Sequence, residues 1–222
     1  MILTWRYTFS TLILLLGLAG ASLAQIQIPP TLKLGTDLTR IGRTLLNEDY
    51  NELELKADLD FTKFMVIGDY GISQIEHQGE RFEYSLQGNY YRLGLDYNLI
   101  GEQWRDNRIF VGGRYGWTNF NESMRVDVED EIWGENIISG NNESIFGRWF
   151  EGVVGLKVDL FYNLLAGFTL RHKFRKRVTG QNEVRSFDIP GFGFNDQNAA
   201  WALNYYVFIK LGWKREKAPK NE

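Results

Sequence analysis

What most constrains the fold of this 222-residue chain is that its apolar residues return at every second position. Successive side chains of a strand point to opposite faces, so such a period sorts them into two walls. From Trp201 to Trp213 one wall is Trp201, Leu203, Tyr205, Val207, Ile209, Leu211 and Trp213. The other is Ala202, Asn204, Tyr206, Phe208, Lys210 and Gly212. The clearest case pairs Leu53, Leu55, Ala57, Leu59 and Phe61 with Glu52, Glu54, Lys56, Asp58 and Asp60.

Eight such segments are found: Leu32–Leu38, Glu52–Phe61, Val66–Ser73, Tyr91–Leu99, Ile109–Thr118, Phe150–Leu160, Leu164–Phe174 and Trp201–Trp213. All four prolines fall outside them, as ladder hydrogen bonding requires. No stretch longer than two turns shows a helical period, so no helix is expected. The connections after the second, fourth and sixth segments are brief, and those after the first, third, fifth and seventh are long and polar. An even strand count, short turns at one end and long loops at the other predict an all-β, eight-stranded antiparallel up-and-down transmembrane barrel with both termini on the short-turn side.

Residues 1–24 read as a secretory leader: Arg6 is the one charge, Leu12–Leu18 is the apolar run, and Ser22-Leu23-Ala24 supplies small residues for cleavage. Residues 25–213 are then the barrel and 214–222 a charged periplasmic tail. Losing Arg6 leaves 24 basic residues of the original 25 against 28 acidic, a net charge of −4 where the full chain has −3. That balance carries no nucleic-acid signature. With no cysteine, disulfides and thiolate metal sites are excluded, and no cofactor is expected.

A soluble lipocalin-like carrier would alternate in the same way, with its apolar wall turned inward. Three features favour the inverse. Gly35, Gly94, Gly112, Gly116, Gly155, Gly167 and Gly212 share the charged wall, where a narrow interior needs gaps beside long side chains. Phe61, Tyr97, Trp117, Phe150, Phe174, Trp201 and Trp213 gather at the ends of the apolar wall, as aromatic girdles do. The series Tyr205, Val207, Ile209, Leu211 and Trp213 resembles the C-terminal signal read by barrel-assembly machinery.

The stretches "LKLGTDLTR", "YRLGLDYNLI", "IFVGGRYGW", "GVVGLKVDLF" and "IPGFGFND" together resemble a family of uncharacterised outer-membrane barrel proteins of Bacteroidetes-type bacteria, defined only as a domain of unknown function. The resemblance spans nearly the whole mature chain. It implies an outer-membrane barrel and assigns no chemistry to any residue.

The inward wall collects Glu52, Glu54, Asp58, Asp69, Asp96, Glu151 and Asp159 with Lys56, Arg92, Arg114, Lys157, Arg171, Lys173 and Lys210, and further Asp37, Asp60 and Lys33. Eight strands leave an interior that side chains just fill, so these charges are expected to form a salt-bridged plug rather than a pore. No catalytic or metal site is expected. The enzymatic alternative, a barrel acting on membrane lipid, would need His77 in the second long loop with Ser73 or Ser85, while His172 falls on the apolar wall. The acidic "VDVEDEIWGEN" reads as part of the third long loop. The expected role is structural, surface-contact or adaptor-like, with outer-membrane lipid, the assembly machinery and an outer-membrane complex as partners.

Overall fold

The structure, a computed structural model, describes residues 31–211 apart from 62, 101–106, 131–133, 182–184 and 197. The expected leader, the charged tail, Gly212, Trp213 and Trp133 lie outside the described residues.

The strands are β1 (Thr31–Asp37), β2 (Tyr50–Asp60), β3 (Phe64–Gln78), β4 (Phe82–Asn98), β5 (Arg108–Asp130), β6 (Gly134–Phe161) and β7 (Leu164–Thr179). A two-stranded hairpin of β8 (Asp188–Ile189) and β9 (Gly193–Phe194) precedes the last strand, β10 (Ala199–Leu211). Each long strand pairs antiparallel with its neighbours, and β1 closes on β10 through Leu32–Leu211 to Asp37–Tyr206, so the eight form one closed barrel. A closed barrel has no free edge along its paired length.

The two walls fall as predicted. Leu55, Leu93, Leu95 and Val154 are more than half exposed on the outside, whereas Glu54, Asp58, Arg92, Asp96 and Arg171 are essentially without exposure inside. The inward glycines are gaps for large neighbours. A Cβ on Gly112 would overlap the Asp96 carboxylate, and one on Gly116 would overlap the Trp149 ring. Outside, Tyr91 stacks on Trp117 at 5.6 Å between centroids, and near the short-turn end Phe64 packs on Tyr97 at 5.3 Å.

Three expectations are corrected. First, the connection after β1 holds a helix, α1 (Leu38–Leu46). Asp37 caps it by accepting from the Thr39 N–H at 2.8 Å, which satisfies an orphan donor of the first turn. Its Leu38, Ile41, Leu45 and Leu46 do recur at helical spacing over these two and a half turns, but the stripe is brief, and Leu38, Leu45 and Leu46 stay exposed instead of marking a core face.

Second, strands run far past the segments read from the sequence. His77 belongs to β3, and Val126–Asp130 of the acidic run belongs to β5, not to loops. The physical reason is an inversion of polarity. Beyond Ile72, Tyr91 and Trp117 the outward positions turn polar (Gln74 and Glu76, Gln87 and Asn89, Asn119 and Asn121). Meanwhile Ile75, Leu86 and Phe120 turn inward and are buried. The ladder continues, but the apolar parity changes sides, which in sequence looks like a break.

Third, the last long connection holds a short hairpin where only a polar loop was expected. The β8–β9 hairpin folds over the barrel mouth, burying Ile189 and Phe192. The β5–β6 hairpin projects beyond its neighbours, since β7 stops pairing with β6 at Thr179–Phe146 while β5 and β6 continue to Asp130–Gly134.

Candidate functional site

Most of the inward charged side chains join an ion-pair network centred on Glu54. Its carboxylate accepts from Tyr90 Oη at 2.6 Å, from Tyr206 Oη at 3.2 Å, and from Arg92 Nη1 and Nη2 at 2.9 and 3.2 Å. Arg40 Nε, reaching in from α1, adds a fifth donor at 3.1 Å. Asp69 accepts from Lys56 at 2.7 Å and Arg92 at 3.2 Å, and lies 3.7 Å from both Arg114 and Arg171. Glu151 takes Arg171 Nη1 at 3.2 Å and Trp149 Nε1 at 2.7 Å, while Asp96 holds Arg114 at 2.8 Å.

Towards the short-turn end Asp58 holds Lys157, and Asp60 pairs with Lys33 at 2.8 Å and Arg108 at 3.3 Å. Towards the other end Glu52 binds Arg40 at 2.5 Å and Arg43 at 3.2 Å. Burying a charge without a partner costs several kcal/mol, so opposed charges at this density must interlock. Apolar layers seal the network: Ile75, Leu86, Tyr90, Phe120, Trp149, Ile189 and Phe192 on the loop side, and Met65, Ile67, Phe110 and Val153 towards the turns. The arrangement sets buried charge against buried charge.

Of the predicted network, Glu52, Glu54, Lys56, Asp58, Asp69, Arg92, Asp96, Arg114, Glu151, Lys157 and Arg171 are brought into these ion pairs. Lys173 is buried but donates to the carbonyls of Gly191 and Phe192, both at 2.9 Å, and so anchors the loop that closes the mouth. Asp159 and Lys210 face inward near the turn end and are only half-buried. Sequence reasoning misses Arg108 and Glu122, although their parity on β5 matches that of Arg114. It misses Arg40 because that residue enters from the polar side of a short helix read as a polar connection.

At the mouth, burial and then nearby Glu52 push the Asp188 carboxyl up to about 6, so it sits beside that acid in a more readily neutral form.

The enzymatic alternative finds no triad among the described residues. His77 Nδ1 lies 2.7 Å from Asp49 Oδ2, and its Nε2 faces the Tyr50 hydroxyl at 3.3 Å. Ser73 donates to Glu52 at 3.1 Å, and Ser85 stands opposite Glu76 rather than His77. A nucleophile must lie within hydrogen-bond reach of its base, and neither serine does. His172 packs against Phe174 and Trp201 at 4.2 and 4.3 Å on the outer wall.

The chain belongs to the family described as "Domain of unknown function (DUF6048)", whose pattern matches residues 7–211. No curated protein matches the sequence. Among solved structures it is similar to a major outer membrane protein from Thermus thermophilus, with a TM-score of 0.48 and 11% identity over 82% of this chain and 98% of that one. It is also similar to Neisserial surface protein A, with a TM-score of 0.40 and 9% identity over 82% and 96% of the two chains. At these scores neither likeness bears on function; the barrel stands on the chain's own strand registers.

Proposed function

We propose that this DUF6048 member is an outer-membrane barrel of a Gram-negative, Bacteroidetes-type envelope, exported with cleavage of its leader, with both termini in the periplasm and a structural or adaptor role. The observation that carries the reading is the inversion of walls: leucine, valine and aromatic side chains outside, a sealed ion-pair network inside. In water this costs solvation on both faces; in a bilayer it is the stable order. The outward apolar run from Tyr91 on β4 to Leu99 just past its end, at ~3.4 Å per residue and a tilt of ~40°, spans about 21 Å of depth, close to the roughly 25 Å band such barrels present to lipid.

Tyr205, Val207, Ile209 and Leu211 face outward on β10, where assembly machinery would meet them. The projecting β5–β6 hairpin offers a surface for contact with another envelope component. The test is fractionation of a tagged copy with mild detergent extraction. The protein is expected in the outer membrane, migrating differently on gels before and after boiling, with partners co-extracted. Recovery as a free periplasmic species would overturn the reading.

A further inference from the structure

The loop-side rim over β6 and β7 gathers arginines without acids. Arg148 of β6 stands directly opposite Arg177 of β7. Like charges opposed across two strands are destabilising. Nothing of opposite sign relieves this pair, since among the described residues neither arginine has a carboxylate partner. The Nε of Arg148 is buried and makes no hydrogen bond.

Arg177 also lines a cavity of about 300 Å³ together with Arg175, Arg185 and Gln181. No carboxylate is among its lining residues; Asp196 lines the adjoining cavity with Phe187 and Phe194 instead. Neutral oxygens hold the guanidinium groups in place. Arg175 donates to the Asn195 carbonyl at 2.9 Å, to Asn195 Oδ1, and to Asn198 Oδ1 at 2.6 Å, and Arg185 donates to the Asn195 carbonyl at 3.0 Å. Asn195 is itself buried and fixed, its Nδ2 donating to the Ser186 carbonyl at 2.8 Å. Such bonds orient a guanidinium without cancelling its charge. Gln181 Nε2 is a further buried donor with no partner.

We propose that this rim binds the phosphate of a net-anionic lipid head group in the loop-side leaflet, an inference that rests on the membrane reading. Its position on the wall favours a lipid over a free anion. On the outer wall Arg148 and Arg177 follow directly on Phe150 and Phe174, which face each other across the same two strands and are 46% and 49% exposed. Beside them Trp201, 68% exposed, packs with Phe174 around His172. An acyl chain lying on this apolar surface brings its phosphate to the level of the arginines. Guanidinium and phosphate form paired, charge-assisted hydrogen bonds that are stronger than neutral ones. A phosphate between Arg148 and Arg177 turns their opposition into a bridge.

The full chain is reconstituted in phosphatidylcholine nanodiscs with a trace of phosphatidic acid, or of diacylglycerol, which lacks only the phosphate. Each trace lipid carries a photoreactive acyl chain, and adducts are mapped by peptide. Phosphatidic acid should label the segments around Phe150 and Phe174 above the level of Leu55 and Val66 on β2 and β3, and diacylglycerol should not. Arg177→Gln should lower that labelling about tenfold, as loss of one charge-assisted contact would. Arg125→Gln, at an arginine already paired with Asp127, should leave it unchanged. Both variants should keep the gel shift on boiling. Arg148→Gln should raise the urea midpoint in vesicles of phosphatidylcholine alone, where it relieves like-charge opposition, and lower it once phosphatidic acid is present. Labelling equal for the two trace lipids, labelling unmoved by Arg177→Gln, or a midpoint change of the same sign in both vesicles would overturn the site and leave the membrane reading intact. Loss of the labelling to excess inorganic phosphate would assign the rim to the free anion and overturn the lipid. Failure of the wild type to enter nanodiscs would overturn the membrane reading and the site together.

Discussion

Glu54→Ala is expected to destabilise the barrel by about 3–5 kcal/mol, the usual cost of removing one partner from a buried ion pair. The carboxylate is the acceptor for Tyr90, Tyr206, Arg92 and Arg40 together, so its loss leaves two guanidinium groups and two phenols without their common partner. Urea unfolding of protein refolded in vesicles, followed by tryptophan fluorescence, measures the change. Glu54→Gln combined with Arg92→Gln should recover part of the loss, because it removes a charge of each sign. A Glu54→Ala midpoint equal to that of the wild type would show that the network does not hold the barrel together.

Much of this network was legible in the sequence, for a definite reason. A strand buried on one side and lipid-exposed on the other must alternate, so Glu54 beside Leu55 and Arg92 beside Leu93 already state their directions. The strand limits were not legible where the outer environment changes. Past Tyr91 and Trp117 the outward residues turn polar, while inward positions such as Leu86 and Phe120 pack against one another. The same period continues with its sign reversed, and a reader tracking one apolar wall sees it end. Arg40 was illegible for another reason: nothing local shows that a nine-residue helix turns its arginine into the barrel.

Leu95→Arg tests the outer wall at comparable cost. Leu95 is 59% exposed between Leu93 and Tyr97, midway along the apolar run of β4. An arginine near mid-bilayer on a barrel's lipid face costs roughly 2–4 kcal/mol. Folding yield into vesicles should fall and the urea midpoint should drop accordingly. Gln87→Arg, on the same face of β4 but beyond the apolar run, should have little effect. Equal tolerance at both positions would mean that the belt does not face lipid.

On the proposed membrane reading, the barrel encloses a locked charge network and no water column. Conductance of the purified wild-type protein in planar bilayers tests it most directly. The interlocked pairs around Glu54, Asp69 and Glu151, sealed by apolar layers at each end, predict a silent barrel with no stable current steps. Reproducible steps whose ion selectivity changes on substitution of Arg92 or Arg114 would contradict it, and would make the interior a pore.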